Sequence, residues 1–316
     1  MIKETVQPEF VINELFVRGS MALLSGSPKV GKSVFCLEAA AAVADGLPFL
    51  HQFRASPGVV LFWLADDPNE NKFTIDFQKL GIKHPENFIL WPERRKLDTG
   101  GLVSFNAMLE ELRPALTIID NLTCVRPRRA GAGDVAQDDY DQSRLLLELA
   151  VRHNTAMIVL HHKATGRKMG DAFDSIAGSF GVGAGSGDSL LLDRIEHGRT
   201  ERYVRGQGRN LGDMEFIYAR DSNGRLFFVA RGPCCRHWDK LIYPIAVRDE
   251  NSFDVEDVAN ETGAGRRWAY AMLQDLRRCG AAEALGGGRY RLEGGLVDAA
   301  LKVRNQAALQ TPDIPH

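Results

Sequence analysis

The stretch GSPKVGKS, Gly26 to Ser33, lies between an apolar run, Met21-Ala-Leu-Leu24, and an alanine-rich one, Val34 to Ala44. Its spacing is Gly, four residues, then Gly-Lys-Ser. Glycines let the backbone turn so that several N–H groups aim at one centre. A helix starting there adds the partial positive charge of its N-terminus. The pattern predicts strand, phosphate loop and helix, with Gly26, Ser27, Pro28, Lys29, Val30, Gly31, Lys32, Ser33 and Val34 as the nucleotide-holding segment. Lys32 is expected to reach the β- and γ-phosphates of ATP, and the Ser33 hydroxyl to bind Mg²⁺. Lys29 is expected to face solvent.

The chain has 316 residues, 44% apolar and 25% charged, with a formal net charge of −2. That allows one large core plus a small second domain. Near-neutral charge confines any nucleic-acid contact to local patches. No apolar run approaches the roughly 20 residues that cross a bilayer, and the first residues lack a signal-peptide core. Five cysteines, Cys36, Cys124, Cys234, Cys235 and Cys279, show no metal-ligand spacing. They read as reduced thiols of a cytoplasmic protein with no membrane partner.

Strand and helix patterns alternate from Met21 to about His162. Val59–Ala65, Leu116–Ile119 and Ala156–Leu160 are short, nearly all-apolar runs, as in strands buried on both faces of a parallel sheet. Helical patterns cover Asn71–Leu80, Ser104–Leu112 and Asp138–His153. Three further strands are expected around Arg202–Arg205, Glu215–Tyr218 and Leu226–Ala230, extending the same sheet. The expected fold class is α/β, a mostly parallel sheet flanked by helices with a small C-terminal domain. The expected division is 1–235 for the core, 236–295 for the second domain, and 296–316 for a flexible tail.

Leu116-Thr-Ile-Ile-Asp120 is an apolar strand ending in a carboxylate, which places Asp120 to hold Mg²⁺. Asn121 follows, so the attacking water is not activated from that position. Leu64-Ala-Asp-Asp67 ends another strand and offers a water-orienting carboxylate, Asp66, with Asp67 as alternative. Both could instead cap the next helix. Leu160-His-His-Lys163 ends a further strand. There His162 is a candidate reader of the γ-phosphate, and His161 a support for the strand end.

With these residues in place, the chain resembles the RecA-like ATPases, and within them the RepA-type group, which includes hexameric plasmid replicative helicases. The matching blocks run in order: VRGSMALLSGSPKVGKS, VVLFWLADDP, LTIIDNL, MIVLHHKATG, DSIAGSFGVGAGSGDSLLLDR and RGQGRN, over about Val17 to Arg231. The resemblance implies a homo-oligomeric ring, usually of six subunits, with ATP between neighbours. It implies an arginine finger in trans, Arg209, with Arg205 in reserve. The family usually has Glu where Asp66 stands, and many relatives have Lys where Gln207 stands. Asp is one methylene shorter, which points toward slow turnover, and Gln207 removes one positive charge from the trans contacts. Together they leave open a fast motor or a slow switch. Two basic loops would face the channel and its single-stranded DNA, one with Arg126, Arg128 and Arg129, the other with Lys163, Arg167 and Lys168. Either could also be an ordinary solvated loop.

Phe253 to Leu292 reads as helix, turn, helix and hairpin, and resembles a winged helix. Ala269, Met272 or Leu273, and Leu276 are expected to face inward. Between Arg266 and Arg291 stand six arginines, Arg266, Arg267, Arg277, Arg278, Arg289 and Arg291, against Asp275 and Glu283. Duplex DNA at Arg266, Arg267, Arg277, Arg289 and Arg291 is one reading. A protein-docking module is the other. The leading functional expectation is an ATP-driven DNA-binding motor, a replicative helicase or loader of a plasmid, phage or other mobile element. Its rivals are an ATP-switched regulator contacting a replication or regulatory protein, and an ATPase that phosphorylates or remodels another protein.

Overall fold

The computed structural model describes residues 7–66, 70–127, 135–162, 183, 185–195, 199–248 and 252–310. A short antiparallel pair, β1 (Phe10–Ile12) and β2 (Phe16–Val17), precedes the main sheet. The apolar run before the phosphate loop is β3 (Ser20–Gly26), buried along its length. Helix α1 (Lys32–Asp45) follows directly. Then come β4 (Val60–Leu64), α2 (Glu70–Lys79), β5 (Phe88–Trp91), α3 (Gly101–Leu112), β6 (Leu116–Asp120), α4 (Leu122–Val125), α5 (Val135–Arg152) and β7 (Ala156–His162). Strands β8 (Asp188–Arg194), β9 (Arg202–Gly208), β10 (Met214–Arg220) and β11 (Leu226–Arg231) complete a nine-stranded sheet of order β11-β10-β9-β8-β3-β7-β6-β4-β5.

The pairings β8–β3–β7–β6–β4–β5 are all parallel, and β10–β11 is antiparallel. All five residues of β4 and of β6 are buried, which is why both read as unbroken apolar runs rather than alternating ones. The expected mixed, mostly parallel α/β sheet flanked by helices is the fold observed.

The chain forms two compact units, Met1–Asp193 with Arg205–Asp213, and Arg194–Val204 with Met214–His316. In the first, Met21, Leu23, Trp63, Phe105, Ile119, Leu146 and Val159 share one core. The Trp63 ring lies 4.7 Å from Trp91 and 4.9 Å from Phe105, centroid to centroid.

The second unit corrects the expected boundary at 235/236. Ile217, Ala219, Phe227 and Val229 of β10 and β11 pack with Cys234, Cys235, Trp238, Leu241 and Ile242 in one core, so these strands belong to the C-terminal unit. After the short α6 (Tyr243–Ala246) come α7 (Val255–Thr262), α8 (Arg266–Arg278), the hairpin β12 (Ala282–Gly286) and β13 (Arg289–Leu292), and α9 (Gly294–Gln310). Asp254 caps α7, accepting from Glu256 N and Asp257 N while the Asp257 carboxylate accepts from the Asp254 N–H. Ala269, Met272, Leu273 and Leu276 are buried, as their spacing predicts. The flexible tail expected from 296 is replaced up to Gln310 by α9. Its Leu296, Ala300 and Val303 recur at helical spacing and are buried in the same core. Among the described residues, no helix is long and apolar enough to cross a membrane.

Candidate nucleotide site at the strand tips

The phosphate loop takes the shape its glycines permit. Gly31 has φ 110°, a left-handed conformation that starts α1. A Cβ on Gly26 would lie 2.4 Å from Leu192 O, so only glycine fits where β3 ends against β8. Ser27, Pro28 and Lys29 are exposed, with Lys29 at φ 59°, and Val30 is buried beneath them. The Lys32 ammonium donates to Gly26 O at 2.8 Å and Ser27 O at 3.1 Å, holding the loop around itself. It is 6% exposed. Burial lowers its pKa, and nearby Asp120 opposes that shift.

The tips of β6 and β7 meet the loop and the start of α1. Ser33 Oγ donates to Asp120 Oδ2 at 2.6 Å, linking α1 to the end of β6. His162, at the end of β7, places Nδ1 3.3 Å from Lys32 Nζ. Lysine has no acceptor, so the charged ammonium donates and His162 Nδ1 accepts. Burial, then Lys32, lowers the His162 pKa, and Asp66 opposes them. His161 is buried, and its pKa is pushed down to about 4, chiefly by burial and then by Arg126.

Asp66 is not on the strand next to the loop. Strands β6 and β7 stand between β4 and β3, which separates the tips by about 14 Å at ~4.8 Å per strand. Asp66 joins the site through Asn121, whose Nδ2 donates to Asp66 Oδ2 at 2.6 Å and lies 3.5 Å from His162 Nε2. Asn121 is 2% exposed. Cys124 donates its thiol proton to Asp66 Oδ1 at 3.3 Å. Its pKa is raised to about 11, mainly by burial and then by Asp66, so the thiol stays protonated. The Asp66 and Ala65 amides both donate to Asp120 O, which ties the two carboxylate-bearing strand ends together. Sequence reasoning missed Asn121 and Cys124. The only signal was a polar residue directly after Asp120, noted for not being Glu.

Arg209 lies at the other end of β3. Its backbone N–H donates to Gly187 O at 3.2 Å. Asn210 next to it donates to Asp188 Oδ2 at 2.8 Å and to Ser20 Oγ at 3.0 Å. Arg209 lines a cavity of about 510 Å³ together with Arg18, Arg144 and Arg152. Arg205 is paired with Asp193 at 3.0 Å. The structure therefore groups Lys32, Ser33, Asp66, Asp120 and His162 and sets Arg209 apart from them.

Of the expected DNA contacts, Arg126 is paired with the buried Asp139 at 3.1 Å rather than left uncommitted. Asp67, Arg128, Arg129, Lys163, Arg167 and Lys168 lie outside the described residues. In the C-terminal unit Arg266 pairs with Glu256 at 3.2 Å and Arg278 with Asp275. Arg289 donates to Ser252 Oγ and O, and Arg291 to Glu283. The side chains of Arg267 and Arg277 are exposed and have no partner among the described residues. Trp268, Tyr270 and Leu285 are exposed nearby in sequence, at 48%, 52% and 47%.

Comparison with known proteins agrees with this geometry. The fold matches a KaiC-like protein from the hyperthermophilic archaeon Pyrococcus horikoshii OT3, with TM-score 0.52 and 12% identity, over 71% of this chain and 100% of that one. It also matches a DnaB-like replicative helicase solved for its interactions with primase, with TM-score 0.52 and 15% identity. That match covers 66% of this chain and 57% of the helicase chain. At these identities the likeness is one of fold, the RecA-like fold. No curated protein sequence matches the chain. The family profile described as AAA domain matches residues 2–168, more than half of the 316, and the chain belongs to that family.

Proposed function

We propose that this chain binds and hydrolyses ATP with Mg²⁺ at the tips of β3, β4, β6 and β7 and couples the cycle to DNA. In this reading it is a RepA-like hexameric replicative helicase, or a helicase loader, of a plasmid, phage or other mobile element. The observation that carries the chemistry is the loop-held Lys32 beside the 2.6 Å contact of Ser33 with Asp120. A hydroxyl and a carboxylate oxygen are the hard donors that Mg²⁺ accepts, alongside phosphate and water. Loop N–H groups, the α1 N-terminus and Lys32 would hold the phosphates. Mg²⁺ when bound supplies charge neutralisation. Asp66 would orient the attacking water, His162 would read the γ-phosphate, and Arg209 would act on a neighbouring copy.

A second reading, an ATP-switched regulator that docks a protein partner without unwinding, draws on the C-terminal unit. Four of the six arginines between Arg266 and Arg291 are already engaged, and Trp268, Tyr270 and Leu285 are exposed. One experiment separates the readings: ATP turnover with and without single-stranded DNA, with oligomer mass recorded in both states. Lys32→Ala and Asp120→Ala serve as controls. The motor predicts a ring of defined mass and DNA-stimulated turnover that both variants lose. Turnover indifferent to DNA favours the regulator. Parental turnover in Lys32→Ala rejects the site itself.

A further inference from the structure

We infer that Asn121 is a positioning residue that transmits the state of His162 to Asp66, through a hydrogen bond that exists only when Lys32 is drawn away from His162. The inference rests on the nucleotide-site reading above and concerns how that site senses its occupant.

The order of contacts follows the order of strands. Lys32 after β3 meets His162 on β7, His162 approaches Asn121 after β6, and Asn121 binds Asp66 after β4. Hydrogen-bond polarity decides what this chain can transmit. The Lys32 ammonium can only donate, so His162 Nδ1 accepts and its proton sits on Nε2. That Nε2–H then faces the Asn121 Nδ2 amide at 3.5 Å, donor against donor, and no hydrogen bond forms. Turning the amide over would present Oδ1 to His162 but would set that oxygen against the Asp66 carboxylate. The 2.6 Å contact with Asp66 therefore fixes the amide as it stands, and Oδ1 is buried with no hydrogen-bond partner among the described residues.

The conflict is removed when Lys32 turns to a phosphate. A phosphate oxygen beside His162 accepts, so the ring carries its proton on Nδ1. Nε2 then becomes an acceptor. The second Nδ2 hydrogen of Asn121 can be donated to it while the first stays on Asp66 Oδ2. Every link then has a donor and an acceptor: His162 Nδ1–H outward, Asn121 Nδ2–H to His162 Nε2, and Asn121 Nδ2–H to Asp66. Cys124 holds the opposite carboxylate oxygen. The Nε2–H bond breaks and an Nδ1–H bond forms, the proton passing through solvent, so the imidazole stays neutral and no net charge moves.

The test uses the full chain with ¹⁵N-labelled histidine and a non-hydrolysable ATP analogue with Mg²⁺. In the free protein His162 should show a protonated Nε2, and with the analogue a protonated Nδ1. An unchanged tautomer overturns the inference without touching the assignment of Lys32 and Asp120. Turnover supplies a second readout. Asn121→Ala should lower kcat on the order of tenfold to a hundredfold, with analogue affinity kept. In an Asp66→Asn background the same change should have no further effect, because it acts through Asp66. Effects that multiply, or an Asn121→Ala enzyme at the parental kcat, reject the relay. If Asp66→Asn itself keeps the parental kcat, it is the role of Asp66 that fails, and the tautomer measurement still decides the His162 step. Asn121→Leu, of similar shape, checks that any loss comes from the amide rather than from a cavity.

Discussion

Arg209 should complete the site of a neighbouring copy and not its own. The backbone around it is pinned beside Ser20 and Gly187, at the N-terminal end of β3, whereas the phosphate loop begins at Gly26 at the other end. Six residue steps separate Ser20 from Gly26, about 20 Å at ~3.3 Å per residue. That is far more than an arginine side chain spans. Three hydrogen bonds among Ser20, Asp188 and Asn210 oppose any local swing. Arg209→Ala should therefore bind ATP normally and lose about a thousandfold or more in kcat, the usual worth of an arginine finger. Mixed with Lys32→Ala, it should regain activity. An interface works only where an intact Lys32 meets an intact Arg209. At equal amounts and random assembly each requirement holds half the time, so about one quarter of interfaces should be productive. The assay is steady-state turnover across mixing ratios, with subunit exchange verified by mass. Activity that never exceeds the sum of the parents, despite verified exchange, would refute the argument, as would an Arg209→Ala protein at full rate.

Gly26→Ala should cost about tenfold or more in nucleotide affinity by equilibrium binding, since its Cβ meets the Leu192 carbonyl of a paired strand at 2.4 Å; unchanged affinity would mean that the loop is not used. Asp66→Asn should keep ATP binding and turn over about a hundredfold more slowly, while Asp66→Glu, one methylene longer, should keep or raise the rate in the same assay. His161 should make the fold acid-sensitive. Its folded pKa near 4 lies below the unfolded value of 6.5. Stability should thus be full above about pH 6.5 and fall toward pH 4 by up to about 3 kcal/mol, and denaturant titrations of His161→Gln should show a flatter profile. Duplex DNA binding by the full chain should weaken with salt at a log–log slope between about −1.8, if only Arg267 and Arg277 reach phosphates, and −5.4, if all six arginines do. A salt-independent interaction would point to a protein partner instead.

The phosphate loop, Asp120 and the strand tips were legible because each is a local pattern: a glycine spacing, or an apolar run that stops at a polar residue. The order of those strands was not. Parallel neighbours need not be neighbours in sequence, and β7 inserts between β3 and β6 with no local mark. For that reason the distance between Asp66 and the loop could not be read from the sequence, and Asn121 was noticed only as a missing Glu. The two side chains that Asn121 meets, His162 and Asp66, lie 41 and 55 residues away.

The C-terminal unit shows the same limit in charge rather than in topology. Six arginines against two acids between Arg266 and Arg291 read as an uncommitted basic face. The residues that engage Arg266 and Arg289 are Glu256 and Ser252, both outside that window. A count over a stretch of sequence cannot include them. Exposed ion pairs contribute only about 0–1 kcal/mol, so Arg266, Arg278 and Arg291 can exchange a carboxylate for a phosphate at little cost. Pairing in the free chain therefore lowers the affinity expected for DNA without removing the surface. Arg267 and Arg277 set the lower limit of the salt dependence, and the paired arginines set its upper limit. The exposed Trp268 and Tyr270 on the same helix give a protein partner something to cover that phosphate contacts alone would leave in water.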